Sequence, residues 1–387
     1  MARALATRRN WGYVKESIEG TTPGSPTMQY FPADEWPIRE TRGSHVSSVL
    51  RNDRQVDNVR HGVKGVQGSI SAYLYYLDQK DWFRAALGYD PAGGRLIESI
   101  DAASISLTWA SADSSLTRGT GDWTAVNAEV GMMVRVTSGG LNAGIFTIAS
   151  VSTTKLTFEE AVVDDSLITG THVFEADYAE QGNVVTSFTL EEAYEDIAQF
   201  FRHTGIQPVG FSITEDPEGF AKVSFDVMGW DTSTNGTTLG AATRVSDDKP
   251  MPSFDGTLKV GGTAQTDISA FSVQVVGNHS PAIPLGSDVP VGIDPGQIVL
   301  TGSITRYFED LTAYNLFRNE TESSFQRQFL DADGNAIDIK LPALKFTGAD
   351  RNVGDNIILM EMPFHVYRHA PTGNSIQLNM IPATAAV

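Results

Sequence analysis

The chain has 387 residues, 28 basic against 47 acidic for a net charge of −19, and no cysteine. That length buries an ample core and suggests two or three domains, and a composition 41% hydrophobic with 36 glycines is that of a globular, turn-rich chain. The balance argues against a cationic grip on nucleic acid, excludes disulfides and thiolate metal sites, and is joined by the lack of any apolar run near the roughly 18 residues that span a bilayer.

The opening run, Met1 to Asn10, is basic but has no apolar stretch, so it does not read as a secretory signal. Residues 1–64 hold ten basic and seven acidic residues. This mildly basic arm on an acidic body reads either as a self-association device or as a solubilising tail. Residues 1–62 contain Thr22-Pro-Gly-Ser-Pro26, Phe31-Pro32 and Trp36-Pro37, which favour an extended, irregular course. Their aromatic residues Trp11, Tyr13 and Trp36 must dock somewhere. A Pro/Gly-rich, strand-poor arm points to a neighbouring subunit as the dock.

From Val63 to Leu77, apolar Val66, Ile70, Ala72 and Leu74 alternate with Gln67, Ser69 and Ser71, the period of a strand with a small polar face. A short helix follows, from Asp78 through Trp82, Phe83 and Leu87, stopped by Gly88. Pro91-Ala-Gly-Gly94 reads as a linker. Beyond it come short strands at 105–108, 132–137, 145–151 and 155–159, separated by turns such as Ser138-Gly-Gly140. This stretch predicts a compact, acidic, all-β module, a small barrel or immunoglobulin-like sandwich. Longer strands then resume at 184–190, 211–214, 220–230, 256–260, 270–276, 298–308, 325–330, 336–341 and 357–367, with one helix near 311–317. Ser224/Asp226 and Thr301/Ser303/Thr305 form two more small polar faces. The predicted fold is mainly β: a sandwich or barrel of residues 63–90 and 178–387 with short flanking helices, an inserted β-domain at 91–177, and an extended arm at 1–62.

Candidate chemistry is sparse. His365 and His369 have the spacing of a zinc-protease pair, but the second position is valine and the surroundings read as strand. Residues four apart on a strand lie about 13 Å apart and cannot share a metal. Asp331-Ala-Asp-Gly-Asn335 superficially resembles a calcium loop, yet glycine falls at position four and Pro342 at position twelve. The flanking alternation makes it a hairpin turn with glycine or asparagine at positive φ. No nucleophile elbow, phosphate loop or Ser/His/Asp set is nominated. No catalytic residue, metal or cofactor is expected.

Gly12-Tyr-Val-Lys-Glu-Ser17 followed by Gly20-Thr-Thr-Pro-Gly24 resembles the opening of major tail tube proteins from long-tailed, non-contractile bacteriophages. Further segments resemble that family in the same order: Val66 to Ser71 running into Trp82-Phe83, Gly205 to Gly210 running into Val223 to Asp226, Phe254 to Leu258, Gly302 to Asp310, Phe317 to Thr321, and Ile339 to Pro342. Val130-Gly131, Asn142 to Phe146 and Thr154 to Thr157 resemble the small β-domain inserted in many of its members. The resemblance covers most of the chain. It implies six copies per ring, rings stacked into a tube that conducts the genome, contacts with tape-measure, terminator and baseplate proteins, no membrane, and a virion component assembled in the bacterial cytoplasm. A sliding polyanion favours an acidic or small-polar lumen. Gln67, Ser69, Ser71, Ser224, Asp226, Thr301, Ser303 and Thr305 are the candidate lumen residues. The alternatives are another β-type tail, baseplate or decoration protein, or a carbohydrate-binding adhesin.

Overall fold

The computed structural model describes residues 4–381 except 6–7, 50–51, 54, 91–95, 103, 127, 129, 138–140, 167–170, 245–248 and 354–356. The expected linker Pro91 to Gly94 and the turn Ser138 to Gly140 lie outside the described residues. Mainly antiparallel strands build the fold, with two α-helices among the described residues, Lys80–Leu87 and Thr312–Arg318.

A first sheet runs in the order Arg39–Val46, Val59–Tyr73, Lys222–Gly229, the second half of Gln199–Glu215, Ile268–Val276, Val299–Tyr307 and Ile358–Val366. A second sheet joins Thr257–Val260, Ser323–Leu330, Ala336–Phe346, Gln377–Ile381 and the last four residues of Thr171–Glu180. The strand Ala336–Phe346 passes Pro342 and pairs through Leu344–Phe346 with Ile358–Val366, so it links the two sheets. Alternation explains the sandwich. Ile70, Phe225, Phe211, Val273, Ile304 and Phe364 point inward from the first sheet, and Phe325, Ile339 and Leu378 from the second. Phe271 stacks on Phe325 across the gap at 4.5 Å between ring centroids.

The sheets are also joined by an ion pair. Arg327 is buried on the second sheet and Glu215 ends a strand of the first. Arg327 donates Nε to Glu215 Oε2 at 2.9 Å and reaches the carbonyls of Ser253, Asp255 and Gln328 at 2.9, 3.2 and 2.8 Å. With its donors satisfied, the guanidinium tolerates burial.

The N-terminal arm corrects the expectation drawn from its proline content. It contains the strand Arg9–Lys15, paired residue for residue with Phe188–Tyr194, and the strand Arg39–Val46. Trp11, Tyr13 and Trp36, assigned above to a neighbouring subunit, are 8%, 2% and 4% exposed within this chain's own core. Trp11 stacks on Trp36 at 4.8 Å, and Tyr13 meets Trp82 edge-on at 5.5 Å. The helix supplies Trp82, which also stacks on Phe188 at 5.0 Å. Strand pairing at 9–15 carries the arm over the helix, so its aromatics are used inside the subunit. Gly68 leaves room for the crossing: a Cβ there would lie 2.5 Å from the Pro37 carbonyl oxygen. Glu16 locks the arm's end, its carboxylate accepting from Ser187 Oγ, Thr189 Oγ1, Gly20 N and Gly205 N at 2.6–3.0 Å.

The middle of the chain forms its own cluster around Trp109, Trp123, Phe146, Phe158 and Phe174. Its strands order as Leu96–Asp101, the first half of Thr171–Glu180, Met133–Thr137, Gly144–Val151, Lys155–Phe158, Ser115–Arg118 and Leu107–Ala110. The sequence boundary at 177 falls inside a strand that serves both regions. Asp177, fully buried, pairs there with Lys80 at 3.2 Å and with Arg84 on the helix.

Candidate functional site

The three polar strand faces read from the sequence fall on one outer face of the first sheet. Hydrogen-bond register places Ser71 opposite Ser224, Ser224 opposite Ser212, Ser212 opposite Gln274, and Gln274 opposite Thr301. The next row runs Lys222, Thr214, Ser272, Ser303, and Ser69 pairs with Asp226. Ser71 Oγ donates to Ser224 Oγ at 3.1 Å, and the Ser272 and Ser303 hydroxyls lie 3.2 Å apart. Thr305 lies opposite Ala270 at one end, and Gln67 lies opposite Met228 toward the other.

Sequence reasoning missed Ser212, Thr214, Ser272 and Gln274, the middle of this face. The signal was present: Phe211 and Ile213 alternate with Ser212 and Thr214, and Phe271, Val273 and Val275 with Ser272 and Gln274. The face is a broad plane of small hydroxyls with few charges. Asp226 is exposed as a residue, yet partial burial of its carboxyl raises its pKa, so it resists ionisation more than a free aspartate.

The two ends of this sheet differ. At one end the strands Arg39–Val46 and Val59–Tyr73 run past Gly229, where pairing with the neighbouring strand stops, and continue as a two-stranded ribbon. Val46, Val59 and the nearby Val49 and Val56 are exposed, and residues 39–64 carry six basic and three acidic side chains. Arg42 pairs with Asp288 at 3.3 Å and Lys64 with Asp231 at 3.4 Å. The opposite end carries exposed Asp216, Glu218, Asp255, Glu309 and Asp310 beside Phe254, 77% exposed.

The other motifs resolve as structure. His365 lies on the strand Ile358–Val366, and His369 beyond it bonds Thr372. Asp331 caps a hairpin turn, its Oδ1 accepting from the amides of Asp333 and Asn335 at 2.9 and 2.8 Å, with Gly334 at φ +89°. Among the described residues no group of three His, Asp or Glu could hold a metal. A cavity of about 610 Å³ is lined by the helix end at Leu87, by Gln207 and Leu300 of the first sheet, and by Tyr367.

The structure is thus mainly β, with a broad hydroxyl-lined sheet face and two dissimilar sheet ends. A family model described as "Phage tail tube protein" matches residues 7–366. The chain belongs to that family and is a structural phage tail protein, hence a virion component. No curated protein matches it.

Proposed function

We propose that six copies close into a ring, that rings stack into the tail tube, and that the hydroxyl face of the first sheet lines the bore through which DNA passes. The observation that carries this reading is the opposition of two faces. The hydroxyl face is bare, whereas the outer face of the second sheet is covered by the module of the middle region. With the bare face toward DNA, the module falls on the tube's exterior. Small hydroxyls dominate the face, with Lys222 and Arg39 at its margins, so phosphate finds little to hold. The basic ribbon end and the acidic opposite end differ in the sense that head-to-tail stacking requires. On this reading the protein is non-catalytic, assembles in the bacterial cytoplasm, and meets tape-measure, terminator and baseplate components at the tube's ends.

Electron microscopy of the purified protein tests the assembly: six-fold rings or tubes support it, and monomers or trimers favour the adhesin or baseplate alternatives. The lumen is tested by S224K/D226K/S303K. These side chains point away from the core, so tails should form, and genome delivery should fall and become salt-sensitive as the bore gains phosphate partners. Normal delivery at every salt concentration would assign the face to another role.

A further inference from the structure

The module is seated on the outer face of the second sheet, and the residues beneath it are polar. Asp338, Gln377 and Asn379 point away from the core on neighbouring strands, where Asp338 pairs with Asn379 and Lys340 with Gln377. All three are 0% exposed. The module reaches down to them. Met133 N donates to Asn379 Oδ1 at 2.9 Å, Arg135 Nη2 to the Gly334 carbonyl at 3.4 Å, and Glu159 accepts from Lys340 Nζ at 2.9 Å. A small apolar contact, Met133 and Ile145 against Ala336, Leu330 and Ile381, completes the seat.

Asp338 is the anomaly. One oxygen accepts from Gln326 Nε2 at 2.9 Å; Oδ2 makes no well-formed hydrogen bond among the described residues, although the Asn379 amide opposite it supports the charge. Lys340, two residues along the same strand, and Lys259, two strands away, favour its charge without cancelling the cost of burial. From the module side the charged groups are Glu159, already on Lys340, and Arg135, already on a carbonyl. A carboxylate placed at the centre of an interface between two packed regions, and short of one hydrogen bond, fits better as a neutral acid.

We propose that the module's grip on the body is graded by pH through Asp338: tight when this carboxyl is protonated, looser when it is ionised. Burial raises its pKa from 3.8 to about 6 in the seated state. The seated form therefore binds the proton better than a solvent-exposed, unseated Asp338 would. The stabilisation is complete below about pH 4 and is lost as pH rises through 6. Two pH units of difference amount to a roughly hundredfold change in the seating equilibrium. The inference does not depend on which face lines the bore.

The chain's lack of cysteine makes a direct measurement possible. Spin labels on T153C in the module and T263C on the body, both exposed positions, report their separation in the full-length protein between pH 4 and 8. The distance distribution should be narrow at pH 4, broaden as pH rises toward 6 and level off above it, and D338N, which keeps the shape and removes the titration, should stay narrow throughout. A wild-type distribution unchanged over the range would overturn the proposal even if D338N failed to fold, and so would a D338N protein that broadened as the wild type does.

Discussion

The two outer faces of the sandwich are built by the same rule and have opposite fates. Both present polar residues on alternate positions of inward-packed strands. On the first sheet these are half-exposed hydroxyls, Ser71, Ser224, Ser272 and Ser303; on the second they are Asp338, Gln377 and Asn379, sealed under the module. Alternation thus says that a side chain points away from the core, and nothing about what lies beyond it. Chemistry separates the two. The bare face carries short hydroxyls that satisfy themselves in cross-strand pairs, and the covered face carries longer amides and a carboxylate able to reach a partner.

The comparison holds only while the sheets remain one sandwich, so the largest effect is expected at their shared ion pair. R327M leaves Glu215 buried without its partner. Removing one member of a buried pair costs about 3–5 kcal/mol, and the midpoint of urea unfolding should fall accordingly. Adding E215L should recover much of the loss, because a buried pair replaced by apolar groups is often near neutral. A drop in R327M of less than about 1 kcal/mol would show that the aromatic contacts hold the sheets together without the pair.

A second substitution addresses the covered face alone. Gly131 sits at φ +87°, and a Cβ there would lie 2.3 Å from Gln377 Nε2. G131A strains the backbone and pushes on the seat together, for a cost of about 1–3 kcal/mol. The loss should appear as faster proteolysis at the junction between module and body, with melting of the body little changed. Equal destabilisation of both regions would mean that they unfold as one unit.

Much of this was legible in the sequence. Period-two alternation located Val59–Tyr73, Lys222–Gly229 and Val299–Tyr307 and their polar faces, and Gly88 marked the helix end, where it adopts φ 68°. What stayed hidden was long-range. Proline density concealed the strand Arg9–Lys15, because its signal lies in its partner, Phe188–Tyr194, more than 170 positions away. Trp11, Tyr13 and Trp36 were therefore sent to a neighbour, although Trp82 offers them a core at home. The middle of the hydroxyl face was overlooked for a different reason. Ser212 lies in a 17-residue strand, Gln199–Glu215, whose two halves pair with different neighbours around Gly205 at φ +63°. No short window displays that.

The smallest expected effect tests whether the bare face is bare. Ser71 and Ser224 are directly opposed, half-buried, and hydrogen-bonded to each other at 3.1 Å. Cross-strand hydroxyl pairs contribute roughly 0.2–1 kcal/mol relative to alanine, because each hydroxyl released turns to water. S71A, S224A and the double substitution should therefore each lower stability by less than about 1 kcal/mol, with a coupling term in the same range. Assembly should be unaffected, since the substitutions add neither bulk nor charge to the bore wall. The outcome differs if another subunit covers this face. The hydroxyls would then also bond across an interface, and removing them would leave buried partners unsatisfied at about 1–3 kcal/mol each. The informative result is the split between subunit stability, read by urea unfolding of the monomer, and tube formation, read by sedimentation. Small losses in the first and none in the second match an open lumen wall, and a selective loss of tubes would convert the face from a channel lining into a contact surface.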